Sequence, residues 1–110
     1  MLIANARIET KRSSRYLVQL CRHVNERIHS HPGVDASIDW THDRGVASLG
    51  PGRCTLRAEP GVLMLRAEAP DPESLRRVQE RFGGLVERFG KRERLRVSWT
   101  SGRGAERSVD

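Results

Sequence analysis

Lysine, cysteine and aromatic side chains are scarce in this chain, and each scarcity excludes something. Two cysteines, Cys21 and Cys54, are too few for a secreted disulfide framework, and a reducing compartment keeps them as thiols. No apolar run approaches the roughly 18 residues of a membrane span, and no signal-peptide pattern precedes the first strand. The expected compartment is therefore the cytoplasm, with no membrane partner. Gly-x-Ser-x-Gly, the phosphate-binding glycine loop and the dinucleotide glycine fingerprint are all absent, which removes the usual signatures of hydrolase and nucleotide chemistry. Lysine occurs only at Lys11 and Lys91, so arginine carries the net charge of +6. Such a balance suits acidic partners (nucleic acid, phosphates, carboxylates), although the codon usage of a GC-rich genome produces the same skew.

At 110 residues the chain is one domain, long enough to bury about two-thirds of its unfolded surface without disulfides or metals. Ile3 to Glu9 alternates, with Ala4, Ala6 and Ile8 on one side, and reads as a strand. Lys11-Arg12-Ser13-Ser14 offers a hydroxyl N-cap to a helix running to about Ile28. Leu17, Leu20, Cys21, Val24 and Ile28 form its apolar stripe. A meander follows. Ala36, Ile38 and Trp40 alternate, Thr41 to Gly45 forms a hairpin loop, Val46 to Leu49 is the next strand, and Gly50-Pro51-Gly52 breaks the chain.

Arg53 to Glu59 and Val62 to Glu68 meet through Pro60-Gly61. A tight turn there sets Arg53 opposite Glu68, Thr55 opposite Arg66 and Arg57 opposite Met64 on one face. Cys54, Leu56 and Ala58 then oppose Ala67, Leu65 and Leu63 on the apolar face. Asp71-Pro72-Glu73 starts a second helix with an acidic cap and a proline at the first helical position. Leu75, Val78, Phe82, Leu85, Val86 and Phe89 make its buried stripe, Gly83-Gly84 weakens its outer side, and Gly90 ends it. Leu95, Val97 and Trp99 alternate with Arg94, Arg96 and Ser98 in an expected last strand. Ser101 to Asp110 reads as a disordered polar tail beyond a single domain of residues 1–100. The class is α+β: a two-layer sandwich with two helices on one face of a mainly antiparallel sheet, the other face open.

Three segments, Arg15-Tyr16-Leu17-x-Gln19-Leu20-Cys21-x-His23, Gly52-x-Cys54-x-Leu56-x-Ala58 and Glu87-Arg88-Phe89-Gly90-x-Arg92-Glu93-x-Leu95-x-Val97-x-Trp99, carry a resemblance. In order and spacing they resemble the bacterial domain-of-unknown-function family 2218, over residues about 3 to 100. The resemblance implies little chemistry. It does imply an association with siderophore-interacting flavoproteins of iron uptake, and hence a siderophore-related flavoprotein as a partner. The stretch His29 to His42 is longer and more polar than the connection the resemblance implies.

Tyr16, Cys21 and His23 fall within eight residues, which invites a metal or catalytic reading. Cys21 and His23 lie two apart on a helix, about 200° around its axis, and cannot grip one ion together. Cys21 and Cys54 both point inward, so they are expected as buried apolar filler and remain the only metal candidates, short of the four ligands of closed zinc. His23 shares a flank with Tyr16 and Arg27, an edge able to hold an anion or to act as an acid–base pair; the plainer reading is a boundary histidine bonded to Gln19 or backbone. His29, His31 and His42 lie in loops without a shared ligand spacing.

The open sheet face is the leading expectation for binding. Alternation displays Arg53, Arg57, Arg66, Arg94 and Arg96 there, and guanidinium forks suit carboxylate or phosphate. Trp40 and Trp99 point inward, so no base-stacking platform is expected and nucleic acid is a poor fit beyond nonspecific phosphate contact. The reading is a small binding or accessory domain for an anionic ligand or protein partner, with no resident cofactor. The alternatives are an enzyme using His23 and Tyr16, nonspecific nucleic-acid binding, and a homodimer formed sheet to sheet.

Overall fold

The strand register follows from the alternation of small and branched residues. The computed structural model describes residues 1–101, in the order β1 (Leu2–Glu9), α1 (Ser13–Ser30), β2 (Ala36–Trp40), β3 (Arg44–Leu49), β4 (Gly52–Glu59), β5 (Val62–Ala69), α2 (Pro72–Phe89) and β6 (Thr100–Ser101). The strands form one antiparallel sheet in the order β2-β3-β4-β5-β1-β6. Arg53 pairs with Glu68, Thr55 with Arg66, Arg57 with Met64 and Leu56 with Leu65, as the tight Pro60-Gly61 turn requires. Gly61 takes φ +81, a conformation open to glycine at little cost.

Both helices lie on one face. Leu17, Leu20, Cys21 and Val24 of α1 and Val78, Phe82, Leu85 and Val86 of α2 cover Ala4, Ala6, Ile8, Cys54, Leu56, Leu63, Leu65 and Ala67 of the sheet. Phe82, Leu17, Leu20, Leu56, Leu63 and Leu65 are the largest side chains fully removed from water. Truncating one such residue to alanine costs about 2–5 kcal/mol. Neither helix is long and apolar enough to cross a membrane.

The start of α2 matches expectation: Asp71 accepts from the Ser74 backbone N–H at 2.8 Å, with Pro72 at the first turn. That N–H, together with the Ser74 hydroxyl, holds the Asp71 carboxyl below the usual carboxylate range. The start of α1 does not. Its N-cap residue is Arg12, which makes no side-chain cap. The Ser13 hydroxyl instead donates to the Glu59 carbonyl at 2.7 Å, and that of Ser14 donates to the His42 carbonyl. The two serines tie the helix to β4 and to the hairpin loop rather than capping it.

The last strand is also corrected. Only Thr100 and Ser101 pair, with Asn5 and Ala4 of β1, so Ser101 belongs to the sheet. Leu95 to Trp99 form no strand, because the side chain of α2 takes the backbone: Glu87 Oε2 accepts the Val97 N–H at 2.9 Å. Gly83, expected on the outer side of α2, is buried under this segment. A Cβ on Gly83 would lie 3.0 Å from Trp99 Nε1 and 3.6 Å from Val97 Cγ1. Gly90 lacks a side chain for a similar reason, since Leu95 folds back into the space a Cβ would take. The left-handed residue of that turn is Arg94, at φ +58. The remainder of the expected polar tail, 102–110, lies outside the described residues.

Candidate functional site

The sheet register settles what the open face carries. Arg53, Arg57 and Arg66 lie there as expected, joined by Arg44 of β3 and Arg7 of β1. Three of these five are answered locally by two carboxylates: Arg53 and Arg66 approach Glu68 at 3.9 and 3.8 Å, and Arg57 approaches Glu59 at 3.3 Å, while Arg7 and Arg44 have no carboxylate within ion-pair distance among the described residues. Such exposed pairs contribute little to stability, yet they leave less positive charge for a ligand. Arg94 and Arg96 are absent from this face. They sit in the turn and extended segment packed against α2, since that stretch never joins the sheet. No aromatic residue occupies an open-face register position among the described residues, and Trp40 and Trp99 pack against the core.

A second set of unanswered charges lines a cleft in the other layer. β1 and β5 run antiparallel, so the helices that follow them run in opposite directions. They meet where the His23 ring rests edge-on against Phe89, centroids 5.4 Å apart at 78°. From that contact toward the end of α1 and the start of α2 a cleft of about 790 Å³ opens between them. Val24, Ile28, Leu49, Val78 and Leu85 supply apolar lining. Along α1 the rim carries His23, Arg27 and His31, one helical turn apart (~6 Å). Along α2 it carries Arg77, Arg81 and Arg88. Asp35 is the single acidic residue of the lining.

Arg77 pairs with Glu73 at 3.1 Å, one turn earlier on its own helix. Arg27, Arg81 and Arg88 have no carboxylate within ion-pair distance among the described residues. His31 Nδ1–H donates to the Arg27 carbonyl at 2.9 Å, which orients the ring and leaves Nε2 outside that bond. Guanidiniums without ion-pair partners along the walls of a cleft with apolar lining suit a ligand with an acidic head and a hydrophobic body.

Sequence reasoning found His23 and Arg27 but not the other wall. Arg77, Arg81 and Arg88 fall at spacings of four and seven beside the stripe Leu75, Val78, Phe82 and Leu85, and that shared flank is a legible signal. His29 and His31, expected in a loop, are the penultimate residue and the C-cap of α1.

The acid–base pair is separated by its surroundings. Tyr16 is buried outside the cleft lining, and its hydroxyl donates to Glu93 Oε2 at 2.6 Å. Burial, then Glu93, push the Tyr16 phenol above its ordinary range; the Tyr16 and Thr10 hydroxyls hold Glu93 below the usual carboxylate range. His23 rests on Phe89 and makes no hydrogen bond to Gln19 among the described residues. Cys21 and Cys54 are both fully buried, and desolvation raises both thiols, that of Cys21 to about 12. No three His, Cys, Asp or Glu side chains gather as a metal set among the described residues.

Comparison with known proteins agrees with this architecture. The structure entitled "NMR structure of PA4090 from Pseudomonas aeruginosa" matches with a TM-score of 0.71 at 25% identity, covering 91% of this chain and 96% of that one. No curated protein matches the chain. Residues 5–100 match the model of a family described as "Uncharacterized protein conserved in bacteria (DUF2218)". This span includes all three motif segments and both walls of the cleft, and the chain belongs to that bacterial family.

Proposed function

We propose that this domain is a small binding or accessory module that holds an amphipathic anion in the cleft between α1 and α2. One observation carries the reading: Arg27, Arg81 and Arg88 line an apolar-floored cleft of about 790 Å³ without a carboxylate partner among the described residues. Uncompensated like charges repel, and a bound anion relieves that repulsion while the floor removes the ligand's body from water. The open sheet face is the lesser candidate: Glu59 and Glu68 already answer Arg53, Arg57 and Arg66, and the two arginines left over, Arg7 and Arg44, stand on a sheet surface rather than over the apolar floor of a cleft.

A ferric siderophore of catecholate or carboxylate type has the required chemistry, being an anionic complex within an organic body. The iron-uptake association implied by the family resemblance would supply one, with a siderophore-related flavoprotein as the recipient. Calorimetric titration with a ferric catecholate, ferric citrate and 1-naphthyl phosphate tests the reading, with neutral 1-naphthol as control. At least one anion binds at tens of micromolar or better, and the naphthol binds more weakly than its phosphate. Failure of all three anions at hundreds of micromolar removes the reading; binding of naphthyl phosphate alone keeps the cleft and removes the siderophore.

A further inference from the structure

The sheet has two outer edges, and they are built differently. β6 is only two residues long, whereas β2 is a continuous strand from Ala36 to Trp40. Natural edges are blunted by lysine, proline, bulges or brevity. The β2 edge has no lysine and no proline, its register against β3 is unbroken, and Asp39 is its only charge. Exposed Val34 lies just before it, at 52% exposure.

Backbone bonding shows which groups face outward. Gly50 N–H donates to the Asp35 carbonyl and Thr41 N–H to the Arg44 carbonyl, both at 2.8 Å, across the β2–β3 pair. Odd-numbered positions of β2 therefore bond to β3, and the backbone groups of Ala36, Ile38 and Trp40 point away from it. Of these, the Ala36 N–H is engaged with the Val34 carbonyl at 3.1 Å.

We infer that the β2 edge pairs antiparallel with β2 of a second copy of this chain, centred on Ile38, to make one continuous sheet. The strand is self-complementary in that register and in neither neighbouring one. With Ile38 facing its own copy, Ala36 faces the partner's Trp40 and Ser37 faces the partner's Asp39, so all five residues pair and no acid meets an acid. Sliding by two residues one way opposes Asp39 to itself, and sliding the other way opposes it to Asp35. Like charges directly opposite are unfavourable, so the sequence selects the central register. This inference is independent of the ligand cleft.

Sedimentation from micromolar to several hundred micromolar tests association, and cysteine pairing tests the register. Ser37 and the partner's Asp39 would occupy a non-hydrogen-bonded pair, with Cα atoms about 4.5 Å apart, within disulfide reach. A mixture of S37C and D39C proteins, mildly oxidised, should give mainly the mixed disulfide rather than either self-linked dimer. Ile38→Pro removes an outward N–H and should leave a folded monomer by circular dichroism. A wild-type chain that stays monomeric throughout overturns the inference. So does a dimer that gives no excess of the mixed disulfide, a result that stands even if Ile38→Pro fails to fold.

Discussion

The Tyr16 hydroxyl reaches Glu93 at 2.6 Å across a separation of 77 residues. Thr10 donates to the other oxygen of the same carboxylate at 2.9 Å, so one side chain fastens the turn after α2 to the end of β1 and the first turn of α1. That turn contains left-handed Arg94 and leads into the segment that covers Gly83. Tyr16→Phe or Glu93→Gln should lower the thermal midpoint and loosen the Leu95–Trp99 segment, read as increased amide exchange at Val97. Unchanged exchange in both variants would show that the clamp holds nothing.

The same pair sets a pH window. Glu93 is depressed below its ordinary value of 4.5, so its contribution is present above that value and is lost as pH falls through the lower folded one. Tyr16 is raised above its ordinary 10.0, so its contribution is complete below that value and is lost as pH rises through the higher folded one. Stability measured against pH should fall at both ends. Glu93→Gln should flatten the acid limb relative to wild type, and an unchanged acid limb would remove Glu93 from the account.

Gly83 and Gly84 are neighbours with opposite expectations. Nothing lies within 4 Å of a Cβ built on Gly84, so Gly84→Ala should stabilise by about 0.5–1 kcal/mol through helix propensity alone. A Cβ on Gly83 meets Trp99, so Gly83→Ala should lose that gain to a strained contact of about 1–3 kcal/mol. Denaturant melts should rank Gly84→Ala above wild type and wild type above Gly83→Ala, and tryptophan emission should shift in the last only. Equal stability of the two variants would contradict the packing of Trp99 on α2.

Both thiols are sealed in the core, with burial favouring their protonated forms. Native protein should react with a thiol reagent only as fast as it unfolds. Cys54→Ser should cost about 1–3 kcal/mol, the penalty for moving a hydroxyl from water into an apolar site where the Arg66 backbone is its one polar contact, and should leave ligand affinity unchanged. Rapid modification at neutral pH would place a thiol at the surface instead.

Most of the sheet was legible because alternation binds each position to its neighbours: once Pro60-Gly61 is a tight turn, Arg53 must oppose Glu68. The Leu95–Trp99 stretch alternates equally well, yet alternation reports two unlike faces and not what the backbone bonds to. Glu87 and Gly83, ten and more residues earlier, decide that it lies on a helix. Arg94 and Arg96 were misplaced for this reason. The cleft was half legible: each helix shows its flank in its own spacing, His23 and Arg27 on one, Arg77 and Arg81 on the other. That the two flanks face one another depends on antiparallel packing, a tertiary fact no single window contains.

The cleft is tested most directly by titrating isotope-labelled protein with 1-naphthyl phosphate and mapping amide shifts in wild type, Arg81→Gln/Arg88→Gln and Arg53→Gln/Arg57→Gln/Arg66→Gln. Charge-assisted hydrogen bonds are worth about 1.5–3 kcal/mol each, so losing even one weakens binding roughly tenfold or more. The shifts should cluster on the facing walls around Arg27, Val78 and Arg81, the Arg81/Arg88 variant should bind at least about tenfold more weakly, and the sheet-face variant should match wild type. Shifts confined to β4 and β5 and abolished by the sheet-face substitutions would contradict the account and return the binding site to the open face.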